Sequence, residues 1–246
     1  MRLLKKNIEK SIEHGEEKEF FNKLNKIYEG IQGGECKGCT NCCMESVNTF
    51  YIEFLNIYKY LQDRPDLYQK LIPKVMEYYF LELVENRPCP FLDESGRCTI
   101  YEVRPLTCRL FGHLSEKEHN ENYKNVLEEN RESRDYFMEE YGIEIPEEIV
   151  NYKIEYCKDF KVDKRVKKQE RHSMIDDIFV IESNFFMNDL ISEEFLGTGL
   201  VSWFAYTYFD LDEAGDYRLD IMEEYAEQGK SSTLEEVLEK VASDKF

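Results

Sequence analysis

Residues 36–43 have the sequence CKGCTNCC, and the neighbouring segments must fold around this short stretch. Four of its eight positions are cysteine, with two residues between Cys36 and Cys39 and two between Cys39 and Cys42. This spacing lets successive thiolates converge on one centre, as in zinc knuckles and bacterial ferredoxins. The stretch therefore predicts a metal site, with folding coupled to the metal.

The last two cysteines of this first motif are adjacent. Consecutive Cα atoms lie only about 3.8 Å apart, and neighbouring side chains tend to diverge. We therefore expect different roles for the two thiols. Cys42 is expected to share a centre with Cys36 and Cys39, while Cys43 turns toward the cysteines further along the chain.

A second set of cysteines follows at wider intervals, and two arginines flank one of them, Cys108. Arg104 and Arg109 lie on either side of Cys108 and could donate hydrogen bonds to sulfur around the metal, although ordinary surface ion pairing is an equal alternative. Eight thiols can make two four-ligand sites, or one site with spare structural thiols. The predicted metal ligands are Cys36, Cys39, Cys42, Cys43, Cys89, Cys98, Cys108 and Cys157.

The spacing leaves the identity of the metal open between an iron–sulfur cluster and zinc. Three thiolates in steps of two favour a 4Fe-4S cluster with a remote fourth ligand, and Cys89 followed by Pro90 suits that ligand. Zinc requires only tetrahedral thiolates and no special assembly. Both cofactors are therefore carried forward.

The segments around the cysteines predict a mostly helical α+β protein. Apolar residues recur at helical spacing before the first motif and again over residues 51–61, and Ser115 with Glu118 has the spacing of a capping box. Two short apolar runs around the turn at residues 93–96 predict a β-hairpin, and alternation over residues 150–156 predicts a short strand. The expected fold is a small cysteine-rich metal core with a β-hairpin, packed by surrounding helices.

Changes in composition along the chain suggest three parts. Residues 1–34 are predicted to form an N-terminal helix, residues 35–160 the cysteine-cluster metal-binding domain, and residues 161–246 a helical C-terminal extension.

The charge balance excludes some partners. The 246 residues carry a formal net charge of -19, which repels phosphate backbones and anionic lipids, so neither nucleic acid nor a membrane is an expected partner. The N-terminus lacks the apolar stretch of a secretion signal, and no apolar run approaches the length of a membrane span. We therefore expect a cytoplasmic protein whose cysteines are reduced rather than paired in disulfides.

The two cysteine motifs together resemble those of a known family. After CKGCTNCC, residues 89–109 read CPFLDESGRCTIYEVRPLTCR, which resembles the YkgJ-like cysteine-cluster family, also called the CxxCxxCC zinc- or iron-chelating domain. The resemblance extends from Cys36 to about Cys157 and implies eight metal-directed cysteines without a defined activity. A related branch contains flagellin lysine-N-methylase, although the region around Cys108 lacks the Tyr-Pro-Arg that is usual in that enzyme.

Three hypotheses for function follow. The first is an iron–sulfur or other metal centre for electron transfer or redox sensing, with a redox or protein partner. The second is a structural zinc module whose acidic helical surface binds a protein, and the third, less favoured, is a relative of the protein-lysine N-methylase. The sequence contains no phosphate-binding loop, dinucleotide motif or nucleophile–base pair, so no catalytic residue is assigned and the question of enzymatic activity stays open.

Overall fold

The computed structural model describes residues 2–243 and shows an all-helical fold. About 64% of the described residues are helical, which confirms the mostly helical part of the prediction. Eleven α-helices occur in the described residues: α1 Lys5–Glu17, α2 Phe20–Glu29, α3 Tyr51–Gln62, α4 Pro65–Leu81, α5 Leu106–Leu110, α6 Glu116–Tyr141, α7 Glu147–Val150, α8 Lys168–Met187, α9 Leu200–Tyr208, α10 Leu211–Gln228 and α11 Ser232–Ser243.

The α+β assignment with its β-hairpin was wrong, because residues 2–243 contain no β-strand. The turn after Asp93 does form, but only one bridge, between Leu92 and Cys98, joins its arms. Pairing does not extend, because the backbone groups that the next ladder pair would use are bound elsewhere. The N–H of Cys89 donates to the carbonyl of Cys43, the carbonyl of Cys89 accepts from Leu92, and the N–H of Tyr101 donates to the carbonyl of Cys98.

The short strand expected over residues 150–156 was also wrong. Residues up to Val150 complete α7, and the segment after it runs along α6 without a partner strand. Side chains of α6 bind its carbonyl groups instead. The side chain of Asn130 donates to Val150, and His119 Nε2 lies 2.8 Å from the carbonyl oxygen of Ile154. The alternating apolar residues therefore reflect packing against a helix.

Local sequence signals mark both ends of α6, whereas the proline within α4 does not mark a helix boundary. Ser115 caps α6 through the predicted capping box with Glu118, and Gly142 ends the helix in a left-handed conformation. Pro73 lies inside α4 rather than at the start of a helix, where proline is more common. The one backbone hydrogen bond lost there is offset by burial of the flanking residues Ile72 and Val75.

A single large hydrophobic core joins the three parts of the chain. Leu24, Phe91 and Trp203, one from each predicted part, belong to the same buried cluster. The indole N–H of Trp203 donates to the carbonyl of Thr49 at 2.8 Å, so the segment entering α3 is tied to α9. The proposed division at residues 34 and 160 stays a prediction.

Two buried carboxylates cap the N-terminus of α3. Glu182 of α8 accepts from the backbone N–H groups of Tyr51 (2.9 Å) and Ile52 (3.4 Å), and Glu53 accepts from that of Phe50 (3.2 Å). These groups would otherwise lack partners inside the helix, and the positive end of the helix dipole favours negative charge there. The helix that follows the first cysteine motif is thus held by two glutamates from different parts of the chain.

Stability should fall with rising pH because of Glu182. Burial raises the pKa of this carboxyl from 4.5 to about 7, against the lowering effect of its two backbone hydrogen bonds. The folded protein therefore holds a proton that the unfolded chain releases. The contribution is complete below pH 4.5 and is lost as the pH rises through 7, by about 3 kcal/mol in all.

Urea unfolding from about pH 5 to about pH 8 measures this loss. Wild type should lose about 3 kcal/mol more than Glu182→Gln, whose amide does not titrate. The variant's absolute stability will differ, so the difference between the two slopes carries the result. Parallel slopes in the two proteins would contradict the assignment.

None of the helices within residues 2–243 combines the length and the apolar character needed to cross a lipid bilayer.

Candidate metal centre

The first cysteine motif lies in an irregular loop between α2 and α3 that is bent by left-handed residues. Gly38 has φ +67° and Thr40 has φ +61°, the latter being an unfavourable conformation for a β-branched residue. The carbonyl of Thr40 accepts from the N–H of Cys43 at 2.7 Å, and the N–H of Gly38 donates to Cys36 Sγ at 3.4 Å. The loop therefore wraps its backbone around the sulfur atoms, as expected of a metal knuckle.

The adjacent cysteines do not diverge, contrary to the sequence-based expectation. The Sγ atoms of Cys42 and Cys43 lie 3.9 Å apart, on the same side of the loop. Two thiolates bound to one tetrahedral ion at about 2.3 Å would be separated by about 3.8 Å, so this spacing is compatible with a shared ion. The shared centre of Cys42 with Cys36 and Cys39 stays a prediction.

The second cysteine set approaches the first motif from the other side. The N–H of Cys89 donates to the carbonyl of Cys43 at 2.7 Å, which joins the loops before and after α3 and α4. Cys42, Cys89 and Cys98 all lie near enough to Cys108 that charge on any of them would raise the pKa of Cys108, and all four are partly buried. We call these four residues the inner thiols.

Burial shapes the chemistry of the inner thiols. It raises the pKa of Cys89 to about 12 and is the main cause of the raised pKa of Cys108 and Cys98, while the pKa of Cys42 is raised first by its contact with Cys43 and then by burial. Without a cation these groups stay protonated thiols at neutral pH. A metal ion would bind by displacing their protons.

Cys36, Cys39 and Cys157 form a second, more exposed set, which we call the outer thiols. Cys36 and Cys39 are exposed, and Cys157 is half-buried in the loop between α7 and α8. The ammonium group of Lys37 pairs with Asp159 at 2.8 Å, which raises the pKa of Lys37, and the neighbouring Cys39 and Cys157 raise it further. Cys39, Cys42 and Cys157 line one cleft of about 350 Å³, so this cleft brings two of the outer thiols next to one of the inner ones.

An aromatic latch, missed from the sequence, brings Cys157 to the first motif. The ring of Phe160 lies between Gly34 and Gly112, and a Cβ atom at either glycine would fall within 2.5 Å of it. Backbone hydrogen bonds between Glu35 and Lys161 (2.8 and 3.4 Å) continue the contact. Nothing in the spacing of the two glycines signals that one ring fills both gaps.

His113 belongs to the support of this latch. It is buried, accepts at Nδ1 from the N–H of Val166 (3.1 Å), and lies edge-on to Phe160 with ring centroids 5.2 Å apart. Burial lowers its pKa, with Arg165 as the next contributor. It therefore acts as a neutral structural residue.

The two arginines beside Cys108 face different neighbours. The positive charge of Arg104 acts on Cys42, Cys98 and Cys108, and its guanidinium stacks 4.1 Å from the ring centroid of Tyr101. Arg109 points away, over the ring of Tyr28 at 4.0 Å, and its Nε donates to the carbonyl of Arg104 at 2.8 Å. Arg109 thus braces the loop that presents Arg104.

Glu53 anchors the helix that carries Cys108. It is 1% exposed and accepts at Oε1 from the hydroxyl of Tyr28 (2.7 Å) and from the N–H of Leu106 (2.6 Å), the first residue of α5. The second cysteine set is therefore fixed to the helical body through one carboxylate. A lone buried glutamate in an apolar helix was the only sequence signal for this role.

The donor set suits zinc or iron in chemistry. All eight cysteines are free, and thiolates are preferred ligands of both metals. No three Cys, His, Asp or Glu side chains of residues 2–243 are positioned to hold one ion. Binding therefore requires the sulfur atoms to rotate about their Cα–Cβ bonds toward a common centre.

A helical scaffold with thiols gathered from distant loops defines a cysteine-cluster metal-binding protein. Residues 35–132 match the CxxCxxCC family, described as a putative zinc- or iron-chelating domain. Seven of the eight cysteines lie within the match, and Cys157 lies beyond it. No curated protein and no solved structure matches the chain.

Proposed function

We propose that the inner thiols hold an iron–sulfur cluster or a single iron ion, and that the protein works in electron transfer or redox sensing. One observation carries the proposal: four thiols from both motifs meet in a partly buried group, while exposed thiols border a cleft beside them. Burial limits solvent access to a metal, and a nearby surface allows electron exchange with a partner. The four inner thiols equal in number the four cysteine ligands of a 4Fe-4S cluster, which favours that form.

Anaerobic purification tests this proposal directly. We expect a brown protein with iron and acid-labile sulfide, whose broad visible absorption bleaches on reduction. A colourless protein with stoichiometric zinc would contradict the redox function and favour the alternative below.

The alternative is a structural zinc module that uses an acidic helix to bind a protein partner. Helix α6 spans 26 residues, yet His119 is its only buried residue among those described. Its sequence has nine acidic and four basic residues, a net charge of -5 from 4 − 9. A long, exposed acidic helix fits a partner with a basic surface.

The division into inner and outer thiols predicts unequal effects of two serine substitutions. Cys108→Ser should weaken metal binding by more than the roughly 10–100-fold that loss of an outer-sphere partner costs, because it removes a direct ligand. Cys157→Ser should leave the metal of the inner thiols in place. Metal content after dialysis against a competing chelator measures both.

The two variants control for each other, because each removes one thiol and adds one hydroxyl. Equal losses of metal in Cys108→Ser and Cys157→Ser would show that the inner and outer thiols form a single site, and would overturn the division.

A further inference from the structure

Arg104 has an enclosed side-chain N–H group that finds no hydrogen-bond acceptor among residues 2–243. Its Nε is shielded from solvent and has no hydrogen-bond acceptor. No carboxylate of residues 2–243 pairs with its guanidinium. A buried donor of this kind is costly, and native proteins seldom retain one without a function.

The arginine is also held in place. Its guanidinium stacks on the ring of Tyr101, and its own carbonyl accepts from Arg109 Nε. Arg109 in turn stacks on Tyr28, which donates to Glu53. A side chain fixed by such a chain of contacts presents its N–H in a set direction rather than sampling solvent.

The charge of Arg104 acts on three of the inner thiols, Cys42, Cys98 and Cys108. As thiols they are poor acceptors, but they become strong acceptors when a metal displaces their protons. Four thiolates around one divalent ion carry a net charge of about −2, which a neighbouring cation stabilises in a site shielded from water.

We propose that Arg104 donates its Nε–H to a metal-bound thiolate among these three cysteines and offsets part of the negative charge of the centre. It is a positioning residue rather than a ligand. The inference rests on the proposed metal binding by the inner thiols, and it separates Arg104 from Arg109, which braces the loop.

Cobalt(II), which takes thiolate ligands in zinc sites, provides the probe. In Arg104→Gln, affinity measured against a competing chelator should fall about 10–100-fold. The sulfur-to-cobalt charge-transfer band should move to longer wavelength, because a thiolate without its hydrogen bond gives up an electron more easily. Arg104→Lys keeps the charge without the planar fork, so it should retain more affinity than Arg104→Gln.

Arg97 is the matched control, since it is an exposed arginine in the same loop, next to Cys98. Arg97→Gln should leave the affinity within about twofold of wild type and the band unmoved. A merely structural role for Arg104 would change affinity without moving the band, and this result would overturn the inference. So would an affinity in Arg104→Gln equal to that of Arg97→Gln.

The proposed function fails in a different way. If wild-type protein binds no cobalt, zinc or iron, then metal binding itself is overturned, and the inference with it. If wild type binds metal and Arg104→Gln has the same affinity and the same charge-transfer band as wild type, the inference alone is overturned.

Discussion

Replacement of Glu53 by alanine should lower the free energy of unfolding by about 3–5 kcal/mol, the range found when one partner of a buried charged network is removed. The carboxylate accepts from Tyr28, Phe50 and Leu106, and alanine would leave these three donors buried without an acceptor. Burial raises the pKa of Glu53, so its desolvation already costs free energy. The three lost hydrogen bonds and the cavity outweigh the relief of that cost.

Urea unfolding of three variants tests this expectation. Glu53→Gln keeps a carbonyl oxygen for two of the donors and should lose clearly less stability than Glu53→Ala. Glu13→Ala, at an exposed position of α1, should change stability by no more than about 0.5 kcal/mol. A loss below about 1 kcal/mol for Glu53→Ala would show that the carboxylate does not anchor α5.

The same substitution should weaken metal binding, because Leu106 opens the helix that carries Cys108. Fixing Cys108 beside the other inner thiols reduces the ordering required when metal binds, so loosening α5 makes binding less favourable. Metal content of Glu53→Ala under conditions where it is still folded measures this effect.

Substitution of Gly112 by alanine should destabilise the protein by about 2–3 kcal/mol, near the upper end of the usual cost of overpacking. The added Cβ would lie 2.5 Å from Cγ of Phe160 and 2.7 Å from both Cδ atoms. The ring cannot move away, because Gly34 faces its other side with a similarly close approach. Displacement of Phe160 would also carry Cys157 away from Cys36 and Cys39.

Gly215 provides the control for a glycine-to-alanine change. It lies in α10 with nothing within 4 Å of an added Cβ, so alanine there should stabilise the protein by about 0.5–1 kcal/mol. Unfolding free energies of the two variants, with the rate of thiol modification at Cys157, test the latch. Equal stabilities for Gly112→Ala and Gly215→Ala would contradict it, whereas partial rescue of Gly112→Ala by Phe160→Leu would support it.

Local sequence signals predicted the helices and their ends where the relevant contacts are local. The capping box joins Ser115 to a residue one turn away, and Gly142 accounts for the other end of α6 through contacts within the last turn. The local pattern alone is therefore enough to identify both ends. The prediction of a β-hairpin was wrong for a related reason. Its turn at residues 93–96 is local and forms, but a ladder also requires free partners on both arms, and the N–H groups of Cys89 and Tyr101 are already bound to the carbonyls of Cys43 and Cys98.

The sequence by itself determined the presence of a cysteine-cluster domain, because thiol spacing and metal chemistry are properties of short stretches of chain. Only the tertiary structure decided which thiols lie together. Cys157 reaches the first motif because one ring fills the gaps at Gly34 and Gly112, and Cys108 is held inside by a carboxylate from α3. These contacts join residues that are far apart in the sequence, and their free energy depends on shape and burial, which no local pattern encodes.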